Sequence, residues 1–327
     1  MASAILNRVD GNTRNVTEIR PQSHVVAGLK AVTKTYDKVQ ALRGVDLEIR
    51  AGELVALLGP NGAGKTTAVK LFLGLARPTT GQVNVFGGNP VDAETRVRTG
   101  AMLQVGKVPE TLKVREHIDL FSSYYPNPLS AAETLAIAGI TDIKDRAFGE
   151  LSGGQKQKVL FALALCGDPD IIFLDEPTVG MDIEIRHKLW AAIRQLIAEG
   201  CSVLLTTHYL EEAEALADRV CVMAHGRMIH EGTVEALRSR VSLKRIRCIS
   251  ALDVELVRSW KHVTDVRRDN ERLHVTTAEA ETVVRRLLDA DAQLSELEVQ
   301  RAGLAEAFTE LTRDADQSST TQQREAA

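Results

Sequence analysis

An apolar run, Glu53-Leu54-Val55-Ala56-Leu57-Leu58, feeds directly into Gly59-Pro60-Asn61-Gly62-Ala63-Gly64-Lys65-Thr66, and a helical run from Thr67 to Leu75 follows. Strand, glycine-rich turn and helix in that order are the setting in which such a turn wraps phosphate groups. The glycines let backbone N–H groups turn inward, and the helix behind them aims its positive end at the same point. Further along, apolar strand-like runs alternate with helical ones: Ile171 to Leu174, Ile183 to Ala198, Ser202 to Thr206, Leu210 to Ala217 and Arg219 to Met223. Alternation of this kind predicts an α/β core built on a largely parallel sheet.

The turn's side chains specify a nucleoside triphosphate. Lys65 is placed to reach the β- and γ-phosphates, Thr66 to give its hydroxyl to Mg²⁺, and Thr67 to add a contact on the α-phosphate. Asp175 ends the strand Ile171-Ile172-Phe173-Leu174 and suits holding Mg²⁺ through water. Glu176 follows at the exit of the sheet, where a carboxylate can orient an attacking water or accept its proton. Between turn and acidic strand lies Leu151-Ser152-Gly153-Gly154-Gln155. Its hydroxyl and glycine N–H groups open the helix Gln155 to Leu165, a second anion site by the same physics. One triphosphate cannot satisfy both elements of a single chain, so a partner is expected.

Composition narrows the class. With 327 residues there is room for about two domains. Formal net charge is −4 and aromatics are 4%, which argues against a nucleic-acid partner bound by bulk charge or base stacking. No apolar run approaches the roughly 20 residues of a membrane span, and Met1 to His24 lacks the apolar stretch of a secretory signal. Cys166, Cys201, Cys221 and Cys248 lack metal-ligand spacing and read as reduced thiols beside apolar stretches.

Together these motifs resemble the nucleotide-binding subunit of ATP-binding-cassette (ABC) transporters over about Val25 to Glu231. The resemblance implies a RecA-like P-loop core with a helical subdomain, the latter falling between about Pro109 and Leu165. It implies ATP and Mg²⁺ as ligands, and a homodimer in which Ser152, Gly153 and Gly154, with Gln155, cap the γ-phosphate held by the opposite subunit. It also assigns further positions: Tyr36 as the aromatic stacked on adenine, Gln104 as a catalytic and magnesium-linked glutamine, Asp182 as the aspartate that communicates across the dimer, and His208 as the switch histidine on the γ-phosphate. Two positions depart mildly, Met181 where leucine is common and Lys158 where arginine is common. Val105-Gly106-Lys107 also departs, lacking the acidic residue many cassettes carry there; that loop is the expected docking surface of a membrane partner. The other histidines, His117 and His187 among them, read as structural.

Pro109 to His117, Leu204 to Glu214 and Gly303 to Thr312 are similar to the ABC-2 subfamily, which includes antibiotic and multidrug exporters. The implied function is an ATP-hydrolysing motor that powers export of a drug-like small molecule through a separately encoded multispan permease. It would sit on the cytoplasmic, inner face of the membrane. Lipid, polysaccharide or ion cargo stays open, as does a non-transport cassette acting as a nucleotide-gated clamp. The expected organisation is a flexible extension over 1–24, the ATP-binding domain over 25–240, an accessory domain over 241–312 and a disordered tail over 313–327. Strand and helix runs past Gly232 read βαββαβ, which suggests a small ferredoxin-like α+β unit closed by a helix from Leu304 to Leu311.

Overall fold

The computed structural model describes residues 24–104, 108–240, 244–301, 308–309 and 311–312. The expectations for the extension, for Val105–Lys107, for the tail and for most of the closing helix fall outside these residues. The chain opens with a hairpin, β1 (Val25–Tyr36) and β2 (Val39–Arg50), then β3 (Leu54–Leu58), α1 (Lys65–Phe72) and β4 (Thr80–Val85). Next come α2 (Ala93–Arg96), β5 (Thr99–Met102), α3 (Val114–Ser122), α4 (Ala131–Ile137) and α5 (Gly153–Leu165). The alternating stretch follows as β6 (Ile171–Asp175), α6 (Ile183–Ala198), β7 (Ser202–Thr207), α7 (Leu210–Leu216), β8 (Arg219–Ala224), β9 (Arg227–Gly232) and α8 (Val234–Arg240).

Six strands form the central sheet in the order β5-β6-β7-β3-β8-β9, parallel except for the last. A strand of such a sheet must be apolar on both sides, and β3 shows why its sequence has no polar alternation. Leu54, Ala56 and Leu58 enter one apolar cluster, with the helices from α3 to α8. Val55 and Leu57 enter another, with α1 and an antiparallel sheet of order β2-β1-β4. The same division runs through β6, where Ile172 and Leu174 face the first cluster and Ile171 and Phe173 the second. Phe173 stacks on Phe72 of α1 at 5.3 Å, which seats the helix behind the glycine-rich turn.

Beyond α8 lie β10 (Lys244–Ile249), α9 (Val254–Arg258), β11 (Val263–Asp269), β12 (Arg272–Thr277), α10 (Ala280–Ala290) and β13 (Ser295–Arg301). These strands pair antiparallel in the order β11-β12-β10-β13. Their core is separate: Ile246, Val266, Leu273 and Val275 from the sheet meet Val257, Trp260, Val283 and Leu287. Phe308 and Leu311, within the expected closing helix, pack instead against the large cluster of the first body. The small core is already covered by α9 and α10, and the apolar pair, three residues apart, is partly buried elsewhere. No helix among the described residues is long and apolar enough to cross a membrane.

Candidate active site

The turn from Gly59 to Gly64 joins the end of β3 to α1 and lines a cleft of about 620 Å³. Two of its glycines are required by the geometry. Gly64 caps α1 with φ +107, and a Cβ there would lie 2.7 Å from Leu42 Cδ2 and 2.8 Å from the Ala41 carbonyl. A Cβ on Gly59 would lie 2.4 Å from the Met223 carbonyl oxygen. Neighbouring backbone thus presses on the turn, and only glycine keeps it open. Asn61, Gly62, Ala63, Gly64, Lys65, Thr66 and Thr67 all line the cleft, with Gln104 and Glu176.

Lys65 is 6% exposed, and its Nζ donates to the Gly59 carbonyl at 2.7 Å and the Pro60 carbonyl at 3.3 Å. The same Nζ lies 3.5 Å from Glu176 Oε1. Glu176 Oε2 meets His208 Nδ1 at 2.5 Å, so one buried carboxylate bridges the lysine and the histidine. Glu176 also has φ +56, a left-handed conformation that costs a non-glycine residue of order 1–3 kcal/mol. Its N–H donates to the Thr206 carbonyl at 3.0 Å and to the Thr206 hydroxyl at 3.2 Å, which fixes that conformation.

Asp175, 1% exposed, accepts hydroxyl bonds on Oδ1 from Thr206 at 2.5 Å and from Thr66 at 3.3 Å. Its Oδ2 is buried with no hydrogen-bond partner. A buried carboxylate oxygen without a donor is costly, and a hydroxyl alongside makes an oxygen-rich pair suited to a hard cation. Among the described residues no cluster of three His, Cys, Asp or Glu side chains could hold a metal alone. That fits Mg²⁺, which takes one or two protein oxygens and completes its shell with water and phosphate.

The remaining expected residues lie elsewhere. Tyr36, at the tip of the β1–β2 hairpin, is 42% exposed with Lys34 Nζ 4.6 Å from its ring centre, and it does not line the cleft. Ser152 caps α5: its hydroxyl accepts from Gln155 N–H at 3.3 Å, while Gln155 Oε1 accepts from Ser152 N–H at 3.0 Å. Asp182 caps α6 by accepting from Ile185 N–H at 2.8 Å. Neither the serine run nor Asp182 lines the cleft of its own chain.

Residues 42–179 match the family described as ABC transporter. A daunorubicin resistance ATP-binding protein, DrrA2 of Streptomyces coeruleorubidus, is 35% identical over 302 residues, spanning 86% of this chain and 94% of its own length. The chain belongs to the ABC transporter ATP-binding family. A Nod factor export ATP-binding protein I of Burkholderia orbicola (strain AU 1054) is 42% identical over 63% of this chain and 70% of its own. Among solved structures, an ATP-binding subunit of an ABC transporter superposes with TM-score 0.60 at 29% identity, over 66% of this chain and 92% of that one. The dimeric post-hydrolysis state of the cassette MJ0796 bound to ADP and Pi superposes at 0.59 and 29%, over 63% and 98%. The family accounts for the nucleotide-binding cleft.

Sequence reasoning passed over parts of this cassette's cleft. Thr206 stood only as a strand residue, although a hydroxyl inside the apolar run Leu204-Leu205-Thr206-Thr207 is itself a signal. The cleft wall formed by Val39, Gln40, Ala41, Arg43, His225 and Gly226 also went unmarked. These come from β2 and the β8–β9 turn, whose tie is a long-range one: Gly226 N–H donates to the Ala63 carbonyl at 3.1 Å, and Arg43 N–H to the Gly226 carbonyl at 2.8 Å.

Proposed function

We propose that this chain is the ATP-hydrolysing motor of an exporter, and that the described site residues carry out the hydrolysis. One observation carries the reading: buried Glu176, in a strained backbone conformation, stands between Lys65 and His208 at a P-loop cleft. Lys65 binds the β- and γ-phosphates, and the N–H groups of the Gly59–Gly64 turn cradle them. Thr67 adds a contact on the α-phosphate, and Tyr36 offers its exposed ring to the adenine. Thr66, Asp175 and Gln104 are the residues to hold magnesium, which when bound neutralises phosphate charge; the unpartnered Asp175 Oδ2 supports this. Glu176 orients a water and takes its proton as the water oxygen attacks the γ-phosphorus. The bond from that phosphorus to the bridging oxygen breaks, leaving ADP and phosphate. His208 holds Glu176 and the γ-phosphate in register.

The site is completed by a second copy, whose Ser152, Gly153, Gly154 and Gln155 approach the γ-phosphate and whose Asp182 adjoins the interface. In support, the serine run stands away from its own cleft, and a structural relative is a dimer with ADP and Pi. Closure of the homodimer would drive a separately encoded multispan permease from the cytoplasmic face of the membrane. Relatives named for Nod factor export and daunorubicin resistance support export, and the latter supports a drug-like cargo. Residues 241–312 form an accessory domain attached to the 25–240 motor; the separate core from β10 to β13 supports the division.

Glu176→Gln should bind ATP with near-native affinity but hydrolyse it roughly 10²–10⁴-fold more slowly, the usual contribution of a general base. Hydrolysis by this variant at the native rate would remove Glu176 from the reaction.

A further inference from the structure

Glu212, on α7, is a carboxylate at 0% exposure that the reaction above does not use. Its Oε1 accepts from the indole N–H of Trp190 on α6 at 3.0 Å. Its Oε2 is buried without a hydrogen-bond partner, and so is the hydroxyl of Thr178, which lies between Glu176 and Asp182. Burial pushes the Glu212 carboxyl above the usual range, opposed by the neighbouring Thr207, Trp190 and Thr178 side chains. Three segments therefore meet at one acidic group: the chain just after Glu176, the helix just after Asp182 and the turn around His208.

That turn is short and tightly tied. Tyr209 N–H donates to the Thr207 hydroxyl at 2.9 Å, and Glu212 N–H donates to the Tyr209 carbonyl at 3.2 Å. His208 therefore sits on a backbone segment held at both ends by the Glu212 neighbourhood. The Tyr209 ring lies 4.2 Å from the His208 ring, and the Arg186 guanidinium of α6 lies 4.5 Å from the centre of the same tyrosine. α6 thus reaches the His208 turn at two points, Trp190 on Glu212 and Arg186 on Tyr209.

We propose that Glu212 is a positioning residue for His208, fixing the His208 turn to α6 through Trp190. It rests on the reading of His208 as part of the hydrolytic site. A carboxylate is not essential to this role, because a glutamine keeps a carbonyl to accept from Trp190. A leucine keeps comparable bulk and loses the acceptor, leaving the indole N–H without a partner.

The test uses the full chain with Mg²⁺ and ATP. Glu212→Leu should lower kcat ~10- to 100-fold, as misplacement of a reacting group does, with KM for ATP changed by no more than about twofold. Glu212→Gln should recover most of the rate. Trp190→Phe, which removes the N–H together with part of the ring, should lower kcat in the same direction without loss of folding by thermal melting. The deciding measurement is the double variant: on a His208→Ala background, Glu212→Leu should cost nothing further in kcat, because its route to the reaction is gone. Multiplicative losses in the double variant, or a native kcat in Glu212→Leu, would overturn the proposal. A native rate in His208→Ala alone would instead remove His208 from the hydrolytic site, a separate failure.

Discussion

At the end of β6 two neighbouring carboxylates are held by one threonine. Thr206 gives its hydroxyl proton to Asp175 and accepts from the Glu176 N–H, so the pair keeps a fixed relation while only Glu176 turns into the left-handed region. A second, partly buried ion pair links the start of β8 to the turn before β3. Arg219 donates to both oxygens of Glu53, at 2.7 and 3.0 Å, and also meets Glu231 and the Glu48 carbonyl. Burial alone would raise the Glu53 carboxyl, but the bonds from Arg219 and from the Arg50 backbone outweigh it and hold the group below the usual glutamate range. A folded-state value lower than the unfolded one stabilises above the usual range and loses that stabilisation as pH falls through the lowered value. Glu53→Gln should therefore lower stability at pH 7 by about 1.5–3 kcal/mol, the range for hydrogen bonds to a charged group, with the gap from the native chain narrowing as pH falls below the usual glutamate range. Urea unfolding at pH 7 and below that range checks this, and a constant gap would contradict it. That Lys65, Thr66, Asp175 and Glu176 come together was legible in the sequence, because strand, glycine-rich turn and helix in that order bring the turn beside the acidic end of a neighbouring strand. Thr206 and the His225–Gly226 turn were not, because their importance comes from contacts across the sheet that no local pattern encodes.

The elements follow from which faces each strand must bury. β3 and β6 are apolar at every position before the acid, as a strand covered on both sides requires, and the alternating stretch after β6 was readable for that reason. The hairpin of β1 and β2 runs longer than its apolar segments suggest, since the two strands go on pairing with each other as far as Tyr36 and Val39, past the buried residues. Short edge elements such as β5 and α2 carry too few residues for a period to show. α5 begins at Gly153, where Ser152 and Gln155 cap it reciprocally, so the hydroxyl we propose for a partner's phosphate also starts its helix. In the second sheet, Leu287 of α10 is at 0% exposure inside a core that shares no member with the clusters around the cleft. Leu287→Ala should lower the stability of that unit by about 2–5 kcal/mol while ATP affinity stays within about twofold. Calorimetry together with nucleotide titration measures both. A parallel loss of nucleotide binding would show that the two cores act as one.

For the whole molecule, the proposed unit of function is larger than the chain. The cleft gathers the P-loop, Gln104 and Glu176, and contacts among side chains bring in Asp175 and His208. Ser152 and Asp182 each cap a helix outside it. A helix N-terminus with an exposed hydroxyl and glycine N–H groups suits an incoming phosphate, and an arginine there would both fill the approach and pair with that phosphate from the wrong side. The central claim, a site shared by two copies, is tested most directly by sedimentation velocity on Glu176→Gln with and without Mg²⁺ and ATP, beside the double variant Glu176→Gln, Ser152→Arg. The shared site predicts that ATP converts the single variant from monomer to dimer and leaves the double variant monomeric with ATP still bound. Equal ATP-dependent dimerisation of the two variants would contradict it.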